Sequence, residues 1–274
     1  MKAIHLTAYG NPAQNLKMVK VSEPNVLSAN EALVRMEYAP IAYSDLLLAN
    51  GVYLLNPKLP SVIGGEGAGI VEAIGPGVTS VKVGDRVTVP FGIFTWSEKV
   101  LAPAQGLFVV PPSIDAKTAS MLNINPTTAV LLLNEFVKLK PKDWIVLNAA
   151  NSQVARCLIA IAKSGALNVV GIVRRSELVP QIAHLVSYAW LSGLPIHVPQ
   201  GDLIIKRLNI HGFWMYYEEY LPNIRAALSE AAKVVASGKL TLPITTTYKP
   251  SEIKEAVENS QRGGKVLLDF NNPN

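Results

Sequence analysis

Two stretches of this sequence carry residue types and spacings suited to holding a phosphorylated nucleotide. The run Asn148-Ala-Ala-Asn-Ser-Gln-Val-Ala155 follows a buried-strand pattern, Asp143-Trp-Ile-Val-Leu-Asn148, and leads into a helical pattern from Val154 to Ser164. The first N–H groups of a helix lack partners and sit at the positive end of its dipole, which is where a dinucleotide-binding fold holds a pyrophosphate. The glycine fingerprint of that fold is absent, with Asn, Ser and Ala in its place. By itself the segment suits any strand-to-helix turn. Further on, the strand pattern Val169–Val173 runs into Arg174-Arg175, with no acid before Glu177. An acid at such a strand end binds the ribose hydroxyls of NAD, whereas Arg accommodates a 2′-phosphate. The spacing therefore predicts NADPH, against the alternative of a solvated basic strand end.

Those residues need elements to position them. Up to residue 115 the chain reads as short strands, among them Lys2–Thr7, Ala32–Tyr38, Gly69–Ile74 and Arg86–Val89. They are broken at Asn11-Pro12, Gly75-Pro76-Gly77 and Gly84-Asp85, and such spacing predicts a barrel-like β domain. After Pro111-Pro112 the pattern turns helical over Asp115–Asn123 and Thr127–Lys138. A strand–helix–strand unit follows, the signature of a parallel sheet. Leu185–Ala189 and Leu208–Trp214 read as further strands, and Pro222–Ser237 as a helix ended by Gly238. Val266–Phe270 reads as a strand returning to the first domain. The division expected is 1–115 with 221–274 as one domain and 116–220 as the cofactor domain.

Composition narrows the function classes. Of 274 residues 49% are hydrophobic and 16% charged, which argues against disorder. The net charge of +5 is spread along the chain rather than massed, so no nucleic-acid partner is expected. A pocket for a phosphorylated cofactor and an anionic substrate accounts for it equally well. No apolar run approaches the roughly 20 residues that span a bilayer, and Met1–Gly10 has no signal-peptide layout. A cytoplasmic location is expected, with a mitochondrial one open if a transit peptide has been removed. The single cysteine, Cys157, excludes an internal disulfide and any multi-cysteine zinc site, and its apolar surroundings mark it as a core residue.

Three glycine-containing motifs then match a known pattern: Gly64-Gly-Glu-Gly-Ala-Gly69, Val71-Glu-Ala-Ile-Gly75 and Val83-Gly-Asp-Arg-Val87. They resemble the zinc-independent medium-chain dehydrogenase/reductase superfamily, which includes the quinone oxidoreductases, and the likeness covers nearly the whole chain. It implies an α/β architecture, a GroES-like β-barrel catalytic domain beside a Rossmann-type parallel-sheet cofactor domain. Zinc members carry a His after the first Gly of the motif and a Cys upstream, whereas here Gly65 and Ser44-Asp45 stand in those places, so no metal is expected. Within the superfamily the sequence is similar to the mitochondrial-type enoyl thioester reductases. The matches are Ser44-Asp45 followed by Asn50-Gly-Val-Tyr53, Asn125-Pro-Thr-Thr-Ala129, Asn148-Ala-Ala-Asn-Ser152, Val173-Arg-Arg175 and Gly212-Phe-Trp214.

That resemblance implies reduction of the conjugated double bond of a 2-enoyl thioester, in fatty acid metabolism, with Tyr53 as the proton donor. It implies that Asn125 and Thr128 lie near the nicotinamide of NADPH. Asn151, Ser152, Gln153 and Val154 would line the pyrophosphate, and Arg174 and Arg175 the 2′-phosphate. Tyr188, Phe213, Trp214 and Met215 would lie on cofactor-side loops, and Lys265 would reach the same site. A homodimer is implied as well. Three departures stand out, one being Trp190, which sits where small residues are usual. Ala42-Tyr43 replaces the Asn-Pro usual before Ser-Asp. Relatives also carry roughly fifty more residues near 180–184, where a doubly wound domain supplies two strands, so the cofactor domain is expected to be truncated. The alternatives are a quinone or enone reductase and a non-catalytic NADPH- or RNA-binding relative.

Overall fold

Alternating burial builds the first strands. In β1 (Lys2–Leu6) Ala3, Ile4 and Leu6 point inward, and β1 pairs antiparallel with β2 (Leu16–Lys20), the short helix α1 (Pro12–Asn15) lying between them. In β3 (Glu31–Ile41) Ala32, Val34 and Met36 alternate into the core. The helix α2 (Tyr43–Asn50) follows and is ended by Gly51, whose φ of 78° lies in the left-handed region that glycine tolerates. Next come β4 (Ser61–Val62), β5 (Ala68–Ile74), β6 (Arg86–Thr88), β7 (Lys99–Pro103) and β8 (Phe108–Val109). The computed structural model describes residues 1–24, 27–150, 152–171, 184–187 and 209–272.

The β domain is held by one long strand. β3 pairs with β5 along one edge, while its other edge is shared between β7 at residues 31–35 and the C-terminal strand β14 (Val266–Asp269) at residues 38–41. The strand expected to return to the first domain does so, antiparallel to β3. β13 (Thr246–Tyr248) extends this seven-stranded sheet, and α7 (Ile253–Gln261) packs beside it.

Among the described residues these strands do not close into the barrel expected from the sequence. A three-stranded sheet, β2-β1-β4, stands apart and touches the larger one through a bridge between Ala3 and Ser97. The physical reason is strand length. β4 and β8 have two residues each, and prolines at 57, 60, 111 and 112 remove ladder donors beside them.

The second half begins with α3 (Ala116–Ala119) and α4 (Asn125–Asn134). β9 (Trp144–Leu147), α5 (Gln153–Ser164) and β10 (Asn168–Gly171) form the strand–helix–strand unit, with β9 and β10 parallel. α5 begins where Ser152 accepts the Ala155 N–H, and it buries Ala155, Cys157, Leu158, Ile161 and Ala162 along one stripe. β11 (His184–Ser187) and β12 (Asn209–Gly212) form a second parallel pair. Among the described residues the parallel strands make two separate two-stranded sheets rather than one. The helix α6 (Leu221–Ala236) packs Ala227 and Ala231 into the core shared with α4 and α5. Its Leu228 and Ala232 meet Ala68 and Val110 of the β domain.

Candidate active site

The glycine motif after β4 makes a tight turn under a tryptophan. Gly64 has φ 106°, and a Cβ there would come within 2.3 Å of the Trp96 ring, so only glycine fits. The turn is tied down by the Thr95 hydroxyl, which donates to the Glu66 carbonyl at 2.7 Å. The Gly65 N–H donates to Asp45 Oδ1, and the Ala42 N–H to Asp45 Oδ2, each at 2.8 Å. Asp45 thus caps the start of α2 and grips the glycine turn with the same carboxylate. Burial pushes its carboxyl up to about 7, against the two N–H bonds that favour the ionised form.

Glu66, the next residue, is fully buried and bridges two elements. Its Oε1 accepts from Lys265 Nζ at 3.0 Å, and its Oε2 accepts from the Ile124 N–H at 3.1 Å, at the start of α4. Lys265 immediately precedes β14 and is itself 5% exposed. The Tyr53 ring lies beyond α2, and its Oη accepts the indole N–H of Trp214, after β12, at 2.9 Å. Burial raises the Tyr53 phenol, while the bond from Trp214 works in the opposite direction. Phe91 stacks on Tyr216 with centroids 3.6 Å apart and planes 15° from parallel, and Trp214 stands edge-on to both.

Tyr53, Phe91, Trp214, Tyr216 and Lys265 face one cleft of about 910 Å³, which Asp45, Glu66, Thr95 and Trp96 do not line. Of the residues singled out in the sequence, Tyr53, Asn125, Thr128, Ser152, Gln153, Val154, Phe213, Trp214, Met215 and Lys265 line it together. Asn151, Arg174, Arg175, Tyr188 and Trp190 lie outside the described residues. Thr128 Oγ1 is engaged with Met215 Sδ at 3.2 Å, and the Gln153 amide with the Pro243 carbonyl at 3.3 Å. Phe213 and Met215 are buried in the core shared by α4, α5 and α6 as well as touching the cleft. Cys157 belongs to that same core, where burial raises its thiol to about 12.

The lining suits a dinucleotide. The first turn of α5 opens into the cleft with no acidic side chain, so its N–H groups and dipole favour an anion. Ala149, in the turn before it, has φ 45°, and Lys265 adds a buried cation. Among the described residues no three His, Cys, Asp or Glu side chains gather as metal ligands would.

The sequence motifs contain Asp45 and Glu66 without giving either a role, and they leave out Phe91 and Tyr216. Glu66 did carry a signal, being an acid between glycines in an apolar stretch. Phe91 and Tyr216 carried none, because their meeting depends on how the two halves of the chain dock.

Residues 28–112 match the alcohol dehydrogenase GroES-like domain. The mitochondrial enoyl-[acyl-carrier-protein] reductase of Xenopus tropicalis is 30% identical over 92% of this chain and 90% of its own length. The protein of the same name from Dictyostelium discoideum is 28% identical over 98% of this chain and 95% of its own. That second alignment runs over 334 positions, 60 more than the 274 residues of the chain, so at least that many positions face gaps in it. The solved complex of Etr1p with NADP and crotonyl-CoA superposes with a TM-score of 0.82 at 21% identity, covering 98% of this chain and 99% of the other.

Proposed function

The chain belongs to the medium-chain dehydrogenase/reductase superfamily, and from that membership and the geometry of the cleft we propose that it is an NADPH-dependent reductase of 2-enoyl thioesters. One observation carries the proposal. The hydrogen bond between Trp214 and Tyr53 sets a phenol into the same cleft as the first turn of α5 and the Lys265 ammonium.

When bound, NADPH supplies the hydride that adds to the β-carbon of the enoyl group. Asn125, Thr128, Ser152, Gln153, Val154 and Lys265 are the described residues that would hold it, with Arg174 and Arg175 on the 2′-phosphate by the sequence argument. Addition of hydride leaves enolate character between the α-carbon and the thioester oxygen. Tyr53 then gives its phenolic proton to the α-carbon; the enolate's electron pair forms the new C–H bond, and solvent reprotonates the phenolate. An indole N–H is only a donor, so Trp214 bonds to the Tyr53 oxygen and leaves the phenolic hydrogen to point elsewhere. The same N–H stabilises the phenolate formed by proton transfer. Burial keeps the phenol protonated beforehand.

We infer zinc-independent chemistry, because Gly65 offers no ligand and both oxygens of Asp45 are committed to backbone N–H groups. The acceptor is a small or acyl-thioester molecule rather than nucleic acid. A homodimer is proposed from the resemblance and is tested by mass in solution. The relatives' names support a mitochondrial location over the cytoplasmic one expected from the sequence. Among the described residues no helix is long and apolar enough to cross a membrane.

A second reading has its own observation. The flat wall of Phe91 stacked on Tyr216, with Trp214 edge-on, suits a planar conjugated acceptor and favours a quinone or enone reductase. Oxidation of NADPH and of NADH against a panel of 2-enoyl thioesters and quinones separates the readings. Turnover of crotonyl-type thioesters with NADPH well above that with NADH is the expected result. Consumption of quinones alone selects the second reading, and no oxidation with any acceptor rejects both.

A further inference from the structure

The pair formed by Glu66 and Lys265 is costly to build. Both groups are taken out of water, 0% and 5% exposed, and a buried ion pair is often no more stabilising than apolar residues of the same volume. Its worth lies in what the two groups hold. The Glu66 carboxylate divides its oxygens: one binds the ammonium at the head of β14, the other the Ile124 N–H, next to Asn125 at the start of α4. The carboxylate itself cannot move freely, because its backbone carbonyl is fixed by Thr95 and the Gly64 turn beneath it is packed against Trp96. At the other end, the Lys265 N–H donates to Thr245 Oγ1 at 3.1 Å, so the lysine backbone is anchored as well as its tip. Only one of the three ammonium N–H groups is needed for Glu66, and Lys265 lines the cleft.

We propose that Glu66 is a positioning residue for the cofactor: it fixes the Lys265 ammonium against the start of α4, so that Lys265, Asn125 and Thr128 meet NADPH as one rigid unit. Glu66 does not line the cleft; it acts through the groups it holds. The inference rests on the NADPH reading given above and adds to it a residue that no contact with the cofactor would reveal.

Glu66→Gln is the informative change. The amide matches the carboxylate in shape but has one oxygen, so it can accept from Lys265 or from Ile124 while its NH₂ faces the other donor. Titration of NADPH by its fluorescence should show binding roughly tenfold weaker in E66Q and in K265M, the size expected for one hydrogen bond to a charged group. The double variant should bind no more weakly than K265M alone, since with the ammonium gone the single oxygen of the E66Q amide is free to accept from the Ile124 N–H and keep the hold on α4. In steady state the loss should fall on the KM for NADPH, with kcat and the KM of the acyl thioester nearly unchanged. Glu66→Asp, which keeps the charge with a shorter reach, should lie between wild type and E66Q and serves if E66Q does not fold. E66Q binding NADPH as tightly as wild type, or losses that multiply in the double variant, would overturn the inference alone. A wild-type protein that binds no NADPH would overturn the cofactor reading and this inference with it.

Discussion

On one side of the cleft the residues rest on β5 and β14 inside a seven-stranded sheet, where Ala68, Val71, Val266, Leu267 and Leu268 are fully buried. On the other side the helix α5 projects from β9, a four-residue strand with none of its residues fully buried and Trp144 69% exposed. β9 has one described partner, β10, and β11 pairs with β12 elsewhere. The two walls therefore do different work at different cost. The groups proposed for proton transfer and cofactor positioning, Tyr53, Glu66 and Lys265, belong to the well-packed side. The helix terminus expected to hold phosphate belongs to the side with less burial behind it, and stability in proteins follows burial region by region.

If the β-domain wall carries the chemistry, removing one oxygen there should produce the largest effect. Tyr53→Phe keeps the ring beside Trp214 and deletes only the proton donor. General-acid contributions are typically ~10²–10⁴-fold in rate, and a water molecule filling the space would put the loss at the lower end. NADPH affinity should stay within about twofold, because Tyr53 takes no part in holding phosphate. Single-turnover rates with crotonyl-type thioester measure the effect directly. An unchanged single-turnover rate removes Tyr53 from the mechanism and shifts attention to the opposite wall.

The difference in packing itself is tested by matched truncations. Ile63 is fully buried beneath the glycine turn, whereas Ile145 in β9 is half-buried. Ile63→Ala should destabilise by ~2–5 kcal/mol, the usual range for a buried isoleucine lost from a core, and Ile145→Ala by about 1 kcal/mol, in proportion to the smaller area it covers. Urea denaturation of the two variants reads this difference. Equal losses would mean that β9 is as well supported as β5, and the comparison between the walls would fail.

What could be read in advance follows the range of the interactions. The short strands β1, β3 and β5, the turn before α5 and the apolar run of that helix are local, so they were legible in the sequence. The open sheet in place of a barrel was not, because closure depends on whether two-residue strands such as β4 and β8 find partners far away in the chain. Tyr53, Asn125, Thr128 and Lys265 were reached through resemblance, and the structure brings them to one cleft with the turn read from physical reasoning alone. Asp45 and Glu66 act by bonding to backbone groups twenty and fifty-eight positions away. No periodicity or motif spacing encodes such a partner. Arg174 and Arg175, to which the sequence argument assigns the NADPH preference, lie outside the described residues.

The smallest expected effect concerns Asp45, and it separates the two forces acting on one carboxylate. Burial raises its carboxyl from 3.8 to about 7, while the Ala42 and Gly65 N–H groups pull the other way. A carboxyl whose folded value lies above its unfolded value holds more protons folded than unfolded between the two. Stability then falls as pH rises through that window and levels off above it. Asp45 should therefore make the protein somewhat more stable near pH 5 than near pH 8, other groups being equal. Asp45→Asn cannot titrate, and its single amide oxygen loses one of the two N–H bonds at every pH. Its penalty relative to wild type should thus be larger near pH 5 than near pH 8, where the ionised aspartate bears its own burial cost. Thermal melts of both proteins from pH 5 to pH 8 measure the difference. A difference that stays constant across the range would mean that the two N–H bonds outweigh burial and that Asp45 is ionised throughout. The glycine turn beneath the cleft would then carry a fixed negative charge beside the paired Glu66 and Lys265, rather than one set by pH.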